Sequence, residues 1–463
     1  MSVFITQKPT TPVAANSNVM YVVTSSNAYL DQFRYCVDIT DTVDRGGFDY
    51  EPVRLKFYPN INGVGITDLG QFMLRFMGWS PLSQRWENTV HTPNAANPTV
   101  VDFQVVFGEE YASSPSSSRV YYPGDPNDPN ATSTITAFKG EVDPNAGSYN
   151  FNTSSIASLN TNGPGFNIMS DCPALMTSSA GQTDYLREGI KCGFNDWQTI
   201  TTLKTGSYRV ALHQEAADGS VGAEITGSNY FTSQSFSTIG VGPRNLTRDA
   251  TFAPQTVQDS ATAWTRVTQT VGEAGYPTNG YPVDIMLPGH SKFPCTTGYN
   301  NNHTENPNDY VRLYFENIYG FWDYYNIYNT LKQTDKIQRR TFTNPFPDYN
   351  GTDSTYDINR RGETQFSVLQ DQAFSITTDY VSQETADWLT QCFDSPDVYL
   401  AVTNRDQTRP SEGNTSYLSS LFIDGPKPIV VTNTNYTWQR DNNYDKLFQY
   451  TINFEMSNKT FIY

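Results

Sequence analysis

The chain has 463 residues, 37% of them hydrophobic, 14% aromatic and only 17% charged, with 30 Tyr and 27 Phe; that much aromatic area excludes a disordered chain, and at ~100 to 200 residues per domain the length predicts several modules. A net charge of −17 leaves no basic face to neutralise phosphates, so specific nucleic-acid binding loses its main driving term. The opening "MSVFITQKPTTPVAANSNVMY" has neither a basic nor a sustained apolar signal region, and no window reaches the ~18 apolar residues of a membrane helix, so a soluble chain with no membrane anchor and no secretion signal is expected.

Asn, Thr, Ser and Gly beside Tyr and Phe are the residues of strands and their turns, which predicts a mainly β fold: multi-domain antiparallel β-sandwiches with a few short helices. After an N-terminal arm over 1–19, "NAYLDQFRYCVDIT" alternates Phe33, Tyr35, Val37 and Ile39 against Arg34, Cys36 and Asp38, the period of a half-buried strand. "VRLKFYPN" repeats the device with Val53, Leu55 and Phe57 and stops at Pro59-Asn60. In "GITDLGQFMLRFMGW", Leu69, Phe72, Met73 and Phe76 have helical spacing behind a candidate cap, Thr67. "TVVDFQVVFGEEY" returns to strand and completes an N-terminal sandwich domain over 20–112.

Residues 113–170, with "SSPSSS", "YPGDPNDPN" and "DPNAG", read as a long loop, insertion or extended arm. A middle strand-rich region with long polar loops is expected over 171–300, its clearest strands being "GSYRVALHQEA" and "GYPVDIMLPG", with a polar, Gly-rich "GSNYFTSQSFSTIGVGPRN" between them. Residues 301–463 form the predicted C-terminal β-sandwich domain. There "DYVRLYFENIYGFWDYYNIYN" reads as two aromatic strands about a Gly320 turn, followed by the strands "DKIQRRTF", "ETQFSVLQDQAFSITTDYV", "DVYLAV", "KPIVVTN", "YTWQ" and "LFQYTINFEM". Within this block "SQETADWLTQCFDSPDVYL" predicts one amphipathic helix: Ser382 caps, Ala386, Leu389 and Phe393 form an apolar stripe that Trp388 and Cys392 widen, and Pro396 stops it. The helix is expected to cover one face of the C-terminal sheet.

Little in the chain reads as chemistry. The five cysteines, Cys36, Cys172, Cys192, Cys295 and Cys392, are odd in number and lack C-x-x-C spacing, so reduced, buried thiols are expected and neither a disulfide framework nor a zinc site. His91, His213, His290 and His303 show no metal-site spacing. Glu109 and Glu110 are adjacent carboxylates, which a strand points to opposite faces, against a glycosidase pair. Asp348, Asn350, Asp353 and Asp357 share an oxygen-rich loop of the kind that can hold calcium, yet without EF-hand spacing. The N-x-[ST] triplets at Asn130, Asn245 and Asn435 are what an Asn- and Thr-rich chain produces by chance. The expectation is therefore no catalytic residue, no cofactor and no metal. The aromatic run with Trp322, Tyr324 and Tyr325 has two readings, core or subunit-interface packing and a platform for stacking sugar rings, of which packing is favoured.

Three blocks carry a resemblance: "NAYLDQFRYCVDI…VRLKFYPNINGVGITDLGQFMLRFM", "VRLYFENIYGFWDYYNIYN…DKIQRRTF" and "DYVSQETADWLTQCFDSPDVYLAV…KPIVVTNTNYTWQ…KLFQYTINFEM". Together they resemble tailed-bacteriophage virion proteins, in which an N-terminal strand block ends in a P-N-x-x-G-x-G turn and a C-terminal block joins a W-L helix to an S-P-x-V-Y-L strand. The resemblance implies a structural protein located in the virion, in the tail, the head-tail neck or the baseplate. On that basis the expected partners are further copies of the chain in a homo-oligomeric ring and other tail or neck proteins, with DNA passing an acidic lumen without specific binding. Interface candidates are Trp388, Leu389, Phe393, Trp322, Tyr324 and Tyr325. The alternative is a receptor-binding or fibre-like module that contacts host-surface glycans through the Tyr/Trp cluster.

Overall fold

The alternation that begins at Phe33 folds into one wall of a two-sheet sandwich. The computed structural model describes residues 3–42, 52–77, 91–93, 100–140, 167–168, 190–191, 199–203, 206–216, 225–232, 236–240, 242, 245, 264–273, 281–286, 310–317, 320–329, 331–343, 348–349, 351–355, 362–381, 383–402, 426–433 and 448–457. Over these the protein is mainly β, with several sheets and only short helices. It divides into two compact units, Met1–Pro307 with Phe315–Tyr325, and Asn308–Tyr314 with Asn326–Tyr463.

In the first unit, β3 (Met20–Ser25) lies between β1 (Val3–Gln7) and β6 (Gly65–Asp68). The second sheet runs β2 (Val13–Ala14), β10 (Thr132–Phe138), β8 (Val100–Tyr111), β4 (Arg34–Asp41) and β5 (Val53–Phe57), with β9 (Val120–Tyr122) paired to the end of β8. The two sheets share one core: Tyr21 and Val23 are buried with Tyr35, Val37, Ile39, Phe103, Val105 and Phe107. Each such side chain contributes ~1.5–3 kcal/mol on leaving water. Tyr21 packs on Phe107 at 5.4 Å between ring centroids and donates its hydroxyl to Ser133 Oγ at 3.3 Å. The Pro59-Asn60 turn is built by one side chain, since Asn60 Oδ1 accepts the N–H of Asn62 (2.9 Å) and of Val64 (3.0 Å).

Two features differ from the sequence reading. The helix after β6 is short, α1 (Gly70–Met73) followed by a 3-10 turn (Leu74–Phe76), and Thr67 does not cap it because Thr67 still belongs to β6. Asp68 Oδ1 instead accepts the N–H of Gly70 (3.0 Å) and of Val19 (2.9 Å), tying helix start to strand. Secondly, β10 lies inside the stretch read as loop or arm and pairs with β8 along its whole length. Its Thr-rich sequence hides an inward row of Ile135 and Ala137, both buried.

Two further sheets follow, described by backbone pairing. One is β11 (Asn167–Ile168), β13 (Thr199–Leu203), β16 (Phe236–Gly240) and β7 (His91–Pro93), in that order. The other is β12 (Ile190–Lys191), β18 (Tyr281–Met286), β17 (Trp264–Glu273), β14 (Gly206–Ala216) and β15 (Ile225–Thr232). The polar, Gly-rich segment expected between strands thus supplies most of β15 and all of β16.

The C-terminal part contains β19 (Val311–Glu316), β20 (Trp322–Ile327), β21 (Leu331–Thr343), β22 (Asp348–Tyr349), β23 (Ser354–Thr355), β24 (Glu363–Thr377), α2 (Gln383–Leu389), α3 (Gln391–Asp394), β25 (Val398–Val402), β26 (Lys427–Val431) and β27 (Thr451–Met456). Seven of these strands form one sheet in the order β20-β19-β25-β26-β27-β24-β21, and β22 pairs with β23. Phe374 on β24 stacks on Phe454 of β27 at 5.3 Å, with Ile376 and Ile452 buried beside them. "YTWQ" lies outside the described residues.

Candidate functional site

Every residue of β19 and β20 is buried, on both faces of the hairpin. Trp322, Tyr324 and Tyr325 are 8%, 4% and 8% exposed. A sugar ring could reach these aromatic faces only if the hairpin opened. The turn depends on Gly320, whose φ of +76° suits glycine and whose Cβ, if present, would lie 2.8 Å from the backbone N of Gly140. Asn317 Oδ1 accepts the N–H of Phe321 at 3.0 Å and fixes the same turn.

Two charges of this hairpin, Glu316 and Arg312, have named partners. Within the first unit, Lys139 Nζ donates to Glu316 Oε2 at 2.6 Å, and Phe138 stacks on Phe321 at 6.2 Å. Within the second, the buried Arg312 donates from Nη1 to Asn326 Oδ1 at 2.6 Å and sets its guanidinium 5.6 Å from the Tyr314 ring centroid. Tyr310 and Tyr328 close the open end at 5.3 Å. Such buried ionic groups fix register and orientation more than they add stability.

The remaining interface candidates, Trp388, Leu389 and Phe393, fall on the helical segment. Ala386, Trp388, Leu389 and Cys392 are buried, and Phe393 meets Tyr450 edge-on at 5.8 Å, just before β27. One helix was expected; the segment divides into α2 and α3 at Thr390, and Phe393 N–H bonds back to Thr390 in a tighter turn. Ser395 takes extended geometry ahead of Pro396, as the sequence requires. Ser382 lies outside the described residues. The buried Thr378 anchors the entry, its Oγ1 accepting Tyr450 N–H (2.9 Å) and its carbonyl accepting both Asn329 Nδ2 and Gln449 Nε2 (2.9 Å each).

Glu109 and Glu110 point opposite ways along β8. Glu109 faces inward at the sandwich end and accepts hydrogen bonds from Ser25 Oγ (2.7 Å) and Asn27 Nδ2 (2.9 Å), whereas Lys56 Nζ sits 3.0 Å from Glu110 Oε2. They brace a loop and a strand pair and share no cleft. A second brace lies on the outer face of β4, where Arg54 grips both oxygens of Asp38 (2.6 and 2.8 Å) and covers the Tyr121 ring at 3.9 Å. Cys36 and Cys392 are buried free thiols. Burial, with the charge of Glu110 second, pushes Cys36 up to about 11, and burial alone pushes Cys392 up to about 12, so neither supplies a thiolate near neutral pH. Cys172, Cys192 and Cys295 lie outside the described residues, as do His290 and His303.

Of the candidate calcium loop, Asp353 is exposed beside Gly351 (φ +95°), and Asn350 and Asp357 lie outside the described residues. Among the described residues, no cluster of three or more His, Cys, Asp or Glu is placed to hold a metal, and no helix is long and apolar enough to cross a membrane.

One surface went unrecognised in the sequence: the β21–β24 ribbon. From Thr334 to Thr343 every residue of β21 is exposed, including Ile337 and Phe342, and Phe366 on β24 is 62% exposed. The signal was present in "DKIQRRTF", where Lys336, Arg339 and Arg340 fall on both faces of one strand and leave no side for a core.

No protein-family model matches the chain, and no curated protein matches it either.

Proposed function

We propose that the chain is a structural subunit of a tailed-phage virion, assembling as a homo-oligomeric ring in the tail, the head-tail neck or the baseplate. The observation that carries this reading is what the resembling terminal blocks do in the fold. "FRYCVDI" and "VRLKFYPNINGVG" supply a sandwich wall and its Asn60-built turn, and "ADWLTQCFDSPDVYL" supplies a buried helical segment and its exit strand. Their charged groups brace strands, as in Asp38 with Arg54. The net charge of −17 suits a wall past which DNA slides without adhering. The buried state of Trp322, Tyr324 and Tyr325 favours packing over a glycan-stacking platform.

The test is twofold: the mass of the purified chain by size exclusion with light scattering, and the presence of the chain in purified particles by mass spectrometry. A closed oligomer and a fixed copy number per particle are expected. A monomer at all concentrations, absent from particles, overturns the proposal.

A further inference from the structure

We propose that Tyr111 and Tyr122 form an oxidative cross-linking site, at which a one-electron oxidant joins the two rings as a dityrosine and staples β9 to the end of β8. The inference stands apart from the virion reading and does not depend on it.

The register sets up the pair. Glu109 lies opposite Tyr122 and Tyr111 opposite Val120, so Tyr111 and Tyr122 are diagonal neighbours on one face of the paired strands, a separation that aromatic side chains bridge. Their rings stack with centroids 4.6 Å apart and planes 16° from parallel. Their hydroxyls meet in a hydrogen bond, the main reason that the Tyr111 pKa stands above its ordinary value. The two rings therefore point the same way, and the ortho carbons that flank each phenolic carbon are brought close together.

Neighbours hold this geometry in place. Tyr111 also stacks on Phe33, at 6.5 Å and 14°. In the loop that follows, Ala112 N–H donates to the Asp31 carbonyl (2.8 Å) and Gln32 Nε2 to the Pro115 carbonyl (3.1 Å). Beyond β9, Gly124 approaches β8 so closely that a Cβ there would lie 2.3 Å from the Phe107 carbonyl oxygen. A pair held in this way couples as one molecule and needs no second encounter.

Exposure and partners set the pair apart from its neighbours. Tyr122 is 41% exposed and Tyr111 half-buried, so an oxidant in solution reaches the stack. Tyr21 and Tyr35 are buried, and Tyr310, also buried, meets Tyr328 at a tilt of 50°. Tyr121 lies on the other face of β9, where its hydroxyl donates to Asp38 Oδ2 at 2.9 Å and Arg54 covers its ring.

The reaction balances with two equivalents of a one-electron oxidant, such as a high-valent haem peroxidase or an oxidised metal complex. Each phenol gives up one electron to the oxidant and its hydroxyl proton to water, leaving a phenoxyl radical with spin on the ortho carbons. Those two carbons form one C–C bond. The proton on each then moves to the ring oxygen and restores both aromatic rings, so the chain has lost two hydrogen atoms in all. The product closes the loop between β8 and β9 covalently.

The folded full chain, dilute enough that copies do not meet, is oxidised by photogenerated ruthenium(III) tris-bipyridyl with persulfate as the electron acceptor. Trypsin then cuts after Arg119, which separates Tyr111 from Tyr122 unless the rings are joined. The expected product is one peptide pair, two hydrogens lighter than its parts, with dityrosine fluorescence and with the link assigned by fragmentation to positions 111 and 122. Tyr111→Phe and Tyr122→Phe each keep a stacking ring but lose the hydroxyl, so each is expected to abolish that pair, whereas Tyr121→Phe is expected to retain it. Circular dichroism checks that the variants stay folded, and the assignment in the parent chain gives an answer even if one does not. Dityrosine that forms at other positions while the Arg119 cut still separates the two peptides overturns the inference, as does a link carried by Tyr121. An equal yield from the chain unfolded in denaturant overturns it too, because proximity along the sequence would then suffice without the stack.

Discussion

Glu316 is 4% exposed, and its carboxylate meets the Lys139 ammonium at 2.6 Å, with Lys139 itself one-fifth exposed. Removing a carboxylate from water costs several kcal/mol, and that cost stays when the partner is deleted. Lys139→Met should therefore lower stability by ~3–5 kcal/mol, whereas Lys139→Met with Glu316→Met should recover most of it, because two apolar chains of similar length fill the space without a charge. Denaturant unfolding of the full chain reads both. Equal loss in single and double variants would show that shape, not charge, sets the site. The close approach at Gly320 explains why the hairpin tolerates no side chain there: its neighbours at 2.8 Å are the backbone of Lys139 and Gly140.

A single polar substitution tests the helical segment. Leu389 is 2% exposed at the end of α2, between buried Trp388 and Cys392. Leu389→Asp removes a large apolar group and buries a carboxylate, so a loss of ~4 kcal/mol or more is expected, against little change for Leu389→Met. Thermal melting of the two variants decides, and an Asp variant that melts with the parent would remove the segment from the core. This segment was legible because apolar residues three and four apart, then a Pro, admit few other structures. β4 was legible for the matching reason, since Phe33, Tyr35, Val37 and Ile39 hold a strict period of two and all end buried. β10, β15 and β16 were not, because Thr, Ser and Asn serve strands and turns alike, and pairing partners distant in sequence decide between them. The aromatic hairpin was legible as two strands about Gly320, but its burial on both faces was not, since alternation predicts one wet face. The ribbon is the reverse case: its strands were read, yet nothing local tells that the sheet narrows to two strands beyond Ala373.

For the whole molecule, alkali opposes the fold in two separable ways. General repulsion grows as an already acidic chain gains negative charge. Specific linkage adds to it, because Tyr21 and Tyr35 are fully buried and their folded pKa values rise from 10.0 to about 12, burial being the main cause for each. Tyr121 is shifted upward too, by burial and then by its hydrogen bond to Asp38. A raised pKa means that the folded state keeps the proton which the unfolded chain releases. The stabilisation is thus fully present below about 10 and declines as pH climbs toward 12. At 1.36 kcal/mol per pKa unit, Tyr21 and Tyr35 together remove up to about 5 kcal/mol across that window. Denaturant midpoints followed by near-ultraviolet circular dichroism should fall steeply there. The double variant Tyr21→Phe, Tyr35→Phe experiences the same repulsion without the two linkage contributions, so its decline should be shallower. Parallel declines in parent and variant would assign alkaline unfolding to net charge alone, and would mean that the two hydroxyls reach solvent before the sandwich opens.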